Sequence, residues 1–169
     1  EKAFSRAVFV GGSAALVLNG NTIANCSYKD GSGAALYYEA IKNKPPESVT
    51  VYFNTFINNT SPGRGSELFL RMRSSPQIYN CTFINEDCKN ELIMILFEVV
   101  AEFPDTYDSF YFKDCNFNNY FFIYAENKYQ PEYEYKEVSM FGVNFISCKD
   151  FPLNFSDVHA ITFSECVFE

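Results

Sequence analysis

Residues able to carry chemistry are few in this chain, and they do not cluster. The one histidine, His159, stands between Val158 and Ala160, where a turn position is expected for it. The arginines Arg6, Arg64, Arg71 and Arg73 have no paired carboxylates beside them, and no Asp-Asp pair occurs. Catalysis by acid, base or nucleophile needs a group of suitable pKa within hydrogen-bond reach of the atom it serves. No stretch supplies that set, so the sequence predicts neither a catalytic site nor a cofactor. The six cysteines show no Cys-x-x-Cys and no Cys/His spacing of the kind that holds zinc. No loop alternates Asp and Asn like a dedicated calcium loop.

What remains is modification and surface chemistry. Asn-x-Ser/Thr sequons begin at Asn25, Asn58, Asn59, Asn80 and Asn154, acceptors for an N-linked glycan in an exported protein. Asn58 or Asn59, ahead of "SPGRG", and Asn154 are the favoured positions. Asn25 and Asn80 also suit tight backbone corners. Asn58, Asn85 and Asn119 have a second reading, as a stacked amide ladder.

The elements that must position these residues come from a repeat. "QIYNCTFINED" at Gln77 returns, with changes, as "TIANCSYKD", "VYFNTFINN", "FYFKDCNFNN", "SMFGVNFIS" and "ITFSECVFE". Aligned on Tyr28, Phe56, Phe83, Phe117, Phe145 and Phe168, the copies are spaced by 28, 27, 34, 28 and 23 residues. Such periods point to a solenoid. Two residues before the anchor stand Cys26, Asn54, Cys81, Cys115, Val143 and Cys166. Five before it stand Ile23, Val51, Ile78, Phe112, Met140 and Phe163, and seven before it Val49, Phe110, Val138 and Ile161.

Offsets zero and minus two have one parity, minus five and minus seven the other. A straight strand alternates its faces with period two, so both pairs cannot face inward together. A corner is required between them. The minus-three column reads Asn25, Phe53, Asn80, Asp114, Gly142 and Glu165, rich in residues that accept a left-handed backbone. A third apolar segment follows most copies: "GAALYY", "ELFL", "LIMILF", "FFIY" and "PLNF". Three strands per turn, stacked turn on turn, define an all-β parallel β-helix of about six to seven coils. An earlier partial coil is read at "FSRAVFV", with Phe4, Ala7 and Phe9 on the same offsets. Residues 1–169 form a single β-helix domain, expected to be part of a longer solenoid.

In this register Cys26, Cys81, Cys115 and Cys166 face inward as small hydrophobes. Cysteines on stacked parallel strands hold their Cβ atoms at about 4.8 Å, longer than a disulfide accepts, so reduced thiols are expected. Cys88 and Cys148 are placed in turns two coils apart.

"GGSAAL" (Gly11 to Leu16) and "GSGAAL" (Gly31 to Leu36), together with "FINN" (Phe56 to Asn59), resemble the GGA-aliphatic and FxxN repeats of the polymorphic membrane protein passengers. Those are bacterial surface β-helices implicated in adhesion. The resemblance implies a right-handed β-helix of the pectin-lyase-like kind, exported and non-enzymatic. Pectin-degrading enzymes share that fold but carry Asn-Thr-Asp, Asp-Asp and Gly-His-Gly on successive coils, whereas here Asn21-Thr22 runs on into Ile23.

The charge balance narrows the partners. Lys and Arg total 13 against 21 acidic residues, a net charge of −8, which disfavours nucleic acid. The longest apolar run, "LIMILF", meets Glu98 after six residues, far short of a membrane span. Long insertions fall between the third strand and the next first strand, and two of them are acidic and carry Tyr107, Tyr129, Tyr133 and Tyr135. These are candidate interaction loops for protein or glycan partners. The expectation is an extracellular or cell-surface structural or adhesive β-helix. The alternatives are a filament subunit assembling through its coil ends, or part of a carbohydrate-active β-helix enzyme.

Overall fold

In a computed structural model, residues 6–12, 14–40, 48–72, 76–85, 93–97, 110–119, 123–127, 137–146, 153–155 and 160–169 are described. They fold as a parallel β-helix. A lone strand, β1 (Val8–Gly11), precedes the first coil, β2 (Leu16–Asn19), β3 (Thr22–Ala24) and β4 (Leu36–Glu39). The second coil is β5 (Val49–Tyr52), β6 (Thr55–Ile57) and β7 (Leu68–Met72), and the third is β8 (Gln77–Tyr79), β9 (Thr82–Asn85) and β10 (Ile93–Phe97). Then come β11 (Phe110–Lys113), β12 (Asn116–Asn119) and β13 (Ile123–Asn127), followed by β14 (Glu137–Phe141), β15 (Asn144–Ile146) and β16 (Leu153–Phe155). The last coil contributes β17 (Ala160–Ser164) and β18 (Val167–Phe168).

Equivalent strands stack into three six-stranded sheets. A leading sheet holds β2, β5, β8, β11, β14 and β17, an anchor sheet β3, β6, β9, β12, β15 and β18, and a closing sheet β1, β4, β7, β10, β13 and β16. Every pairing between these strands is parallel.

The corner demanded by parity is present in every coil. Gly20, Phe53, Asn80, Asp114, Gly142 and Glu165 join leading strand to anchor strand, and all six have φ between 49° and 68°. Their N–H groups keep the ladder intact through the bend: Asn80 donates to the Lys113 carbonyl and Asp114 to that of Phe141, both at 2.9 Å. At Gly142 an added Cβ would lie 2.6 Å from Asp114 Oδ1, so the Asp114 carboxylate would have to turn aside to admit it.

The first copy is in a different register from the one the sequence predicts. Ile23, not Tyr28, pairs with Phe56, so the first spacing is 33 residues. Leu16 and Leu18 pair with Val49 and Val51, Gly20 takes the corner, and Asn21 takes the minus-two place. Asn25 (φ 54°) belongs to a second corner, after the anchor strand, which it shares with Asn58 (φ 50°). The partial earlier coil is also reassigned. Val8–Gly11 is a closing strand paired with β4, and Phe9 is 60% exposed rather than inward.

The core is a set of ladders along the axis. Phe56, Phe83, Phe117 and Phe145 are all buried, and their rings stack with centroids 5.0, 4.8 and 5.3 Å apart and planes within 17°. Each such contact adds about 0.5–1.5 kcal/mol beyond area burial. Val51, Ile78, Phe112 and Met140 line the facing column, with Leu36, Leu68 and Leu70 from the closing sheet. Truncating the middle of the phenylalanine ladder leaves a cavity between two rings that the ladder cannot collapse to fill. Phe83→Ala is expected to lower unfolding free energy by about 3–5 kcal/mol in denaturant titration. A loss under about 1 kcal/mol would contradict the buried ladder.

Candidate functional site

Three chemically distinct places emerge: the minus-two column, a buried carboxyl, and the outer face of the leading sheet. In the minus-two column four inward side chains, Asn54, Cys81, Cys115 and Cys166, are hydrogen-bond donors. Asn54 Nδ2 donates to the Leu18 carbonyl at 2.8 Å and to that of Tyr52 at 2.9 Å. Cys81 Sγ faces the Val51 and Tyr79 carbonyls, Cys115 those of Ile78 and Lys113, and Cys166 those of Met140 and Ser164, all at 3.3–3.6 Å. Each donor therefore points at the minus-five carbonyl of the coil before and at the carbonyl entering its own corner. A thiol is a weak donor, yet here it is more than an apolar filler, which corrects the sequence expectation. Cys26 also moves out of this column. It stands after the second corner, opposite Asn59, whose Oδ1 accepts from Cys26 N at 2.8 Å. Cys26, Cys81, Cys115 and Cys166 are free thiols. Burial pushes the Cys115 thiol well above its ordinary range.

The buried carboxyl is Glu67, immediately before β7, with no solvent exposure. Its Oε1 accepts from the Asn59 backbone N–H at 3.2 Å and its Oε2 from Asn59 Nδ2 at 2.5 Å. Asn59 is itself fully buried and also donates from Nδ2 to the Ile23 carbonyl at 2.9 Å. Beside them the Ser61 and Ser66 hydroxyls lie 3.3 Å apart. Loss of water raises the Glu67 pKa to about 8, against the lowering effect of the two Asn59 bonds. A carboxyl protonated at neutral pH is the form a general acid takes, but this one is sealed from any ligand. It acts as a clip between the anchor and closing strands of the second coil. Sequence reasoning passed over it, because "ELFL" reads as an apolar strand whose first residue looks like a solvated edge.

The outer face of the leading sheet is aromatic. Val17, Thr50, Gln77 and Tyr111 share one row by register, and Asn19, Tyr52, Tyr79, Lys113 and Phe141 the next. Tyr79 and Tyr111 meet edge to face at 6.4 Å, as do Tyr52 and Phe53 at 5.8 Å. Val17 is 63% exposed and Phe53 61%. On the closing sheet, Phe9, Tyr37 and Phe69 stack at 5.4 and 4.8 Å. Arg6 places its guanidinium 4.0 Å from the Tyr37 ring centroid and 4.2 Å from that of Tyr28.

The sequons fall in unlike surroundings. Asn25 and Asn80 are exposed corner residues, and Asn58 is half-buried. Asn59 spends its whole amide inside the fold, so a glycan there has no room. Asn154 pairs with Tyr124 between β16 and β13. Asn85 and Asn119 pair in register, while amide contacts between neighbouring coils join Asn144 to Asn116 at 2.8 Å and Asn21 to Asn54 at 3.1 Å. Tyr107, Tyr129, Tyr133 and Tyr135, with His159, Cys88 and Cys148, lie outside the described residues. No family model, curated protein or solved structure matches this chain.

Two measurements follow from these interiors. The folded carboxyl of Glu67 titrates near 8 and the unfolded one near 4.5, so its support for the fold is complete below pH 4.5. It falls as pH rises and is gone once pH passes about 8, a span worth at most roughly 5 kcal/mol. Glu67→Gln should flatten the decline in stability between pH 5 and 9. An unchanged slope would show that Glu67 is not the group responsible. Alkylation of the unfolded, unreduced protein should label both Cys81 and Cys115, and joint protection of the two would reveal a disulfide.

Proposed function

We propose that this protein is a non-enzymatic structural or adhesive β-helix of the cell exterior, similar in kind to the polymorphic membrane protein passengers. One observation carries the reading: a stack of parallel strands displays aromatic side chains outward, where solvent reaches them. Phe53 and Phe9 are about three-fifths exposed; Phe9 also stacks on Tyr37, whereas Phe53 stands at a corner with only Tyr52 edge-on beside it. Apolar side chains exposed singly are ordinary, whereas neighbouring aromatics on one face, as with Tyr52, Phe53, Tyr79 and Tyr111, are informative. The exposed sequons at Asn25 and Asn80 suit passage through a glycosylating export route, and the net charge of −8 keeps such a rod soluble.

A second reading is a subunit that assembles end to end. Phe163 and Phe168 are 42% and 52% exposed in the last described coil, although their columns are buried in the inner coils. A second copy stacked there would cover them as each coil covers its neighbour, and so would further coils of the same polypeptide. Sedimentation that shifts to larger species with concentration would favour assembly.

The surface reading is tested with an antibody to the folded protein. Intact cells of the source organism should label without permeabilisation, and beads coated with the protein should adhere saturably to a host or neighbouring cell surface. Labelling seen only after permeabilisation would overturn the proposal.

A further inference from the structure

Phe53 is the bulkiest residue in the corner column and, with Glu165, one of two whose type works against its backbone. Its equivalents are Gly20, Asn80, Asp114, Gly142 and Glu165, while Phe53 holds a bulky ring at φ 54°. A left-handed backbone is strained for a non-glycine residue, least for Asn and Asp. The ring does not recover that by burial, since it is 61% exposed. Strain of this sort, held where stability does not benefit, marks a place where something else is served.

The surroundings give the ring a setting. On the first-coil side the corner is Gly20, where an added Cβ would meet nothing within 4 Å, so one flank of Phe53 opens on free space. Tyr52 braces it edge-on at 5.8 Å. Val17 stands exposed on β2, and the exposed amides of Asn19, Gln77 and Asn80 lie on the same face and corner. Tyr79 and Tyr111 continue the surface into the next coils.

We propose that this face, centred on Phe53, binds a short neutral segment of glycan; the inference rests on the surface role proposed above. Size and charge select the ligand. Three rung intervals of about 4.8 Å by three residue steps of about 3.3 Å make a patch of roughly 140 Å². A stable protein partner covers about 800 Å² on each side, so this patch fits two or three sugar rings and falls short of a protein interface. Among the described residues, the charged ones at its far margin are Lys113, Asp114 and Glu137, one cation beside two anions, which does not favour uronate or sulfate groups. Exposed aromatic faces take the C–H faces of pyranose rings, while the amides and tyrosine hydroxyls bond to sugar hydroxyls. The ladder fixes these groups before the ligand arrives, which lowers the ordering cost of binding.

Calorimetric titration of the folded chain with cellohexaose, chitohexaose and mannohexaose, and with hexagalacturonate as an anionic comparison, tests the proposal. At least one neutral hexamer should bind saturably, with a dissociation constant below about 1 mM. Phe53→Asn should weaken that binding at least tenfold while leaving Tm unchanged or higher, because asparagine accepts the corner conformation. Absence of binding by all three neutral hexamers, equal binding by the variant, or tighter binding of hexagalacturonate would each overturn it. A Tm fall of several degrees in Phe53→Asn would overturn it too, by showing that the ring serves the fold. Bead adhesion that depends on Phe53 without any hexamer binding would reject the glycan while leaving the surface role intact. Loss of surface labelling with hexamer binding retained would do the reverse.

Discussion

A strand turns alternate side chains to alternate faces, and no run of straight backbone escapes that. Here two pairs of apolar positions of opposite parity both face one core, so each coil must break the alternation once. It does so with a single left-handed residue between leading and anchor strand, six times in succession. The corner N–H groups donate onward to the next coil, so the bend interrupts no ladder. Three of the six corner residues, Phe53, Asp114 and Glu165, are neither glycine nor asparagine, and their conformational cost is met by what the corner permits: the phenylalanine ladder and the apolar column opposite it.

The bend also sets the chemistry of the residue that follows it. Carbonyls on the inner side of the corner meet the core, where an unbonded acceptor costs about 1–3 kcal/mol. The minus-two side chain supplies donors, as an amide from Asn54 and as thiols from Cys81, Cys115 and Cys166. Cysteine is small enough to fit the core column beside the Phe ladder and still present a hydrogen. That accounts for its recurrence at this offset without any disulfide. Val143, buried in the same column, supplies no such donor.

Much of this was legible in the sequence, since columns repeated in register report burial directly. Parity alone implied the corner, and the minus-three composition located it in five of the six coils. The first coil was misread because Cys26 and Tyr28 imitate the Cys-x-Phe of later copies by residue type, whereas the true anchor, Ile23, is aliphatic. The Glu67–Asn59 clip was not legible, because the partners come from different strands and neither residue type signals burial. Outward aromatics gave no signal either: Phe53 reads as one more apolar residue until its φ and exposure are known.

The central claim, that equivalent columns stack rung on rung from the corrected first coil onward, can be measured as a ruler. By register Val17, Thr50, Gln77, Tyr111, Ser139 and Thr162 form one outward row. Spin-labelled amino acids placed at Val17 and Thr162, and separately at Thr50 and Thr162, span five and four rungs of about 4.8 Å each. Pulsed dipolar spectroscopy should give separations near 24 and 19 Å, differing by about one rung whatever the label length adds to both. Equal distances, or a difference of two rungs or more, would contradict the stack and the register on which the account depends.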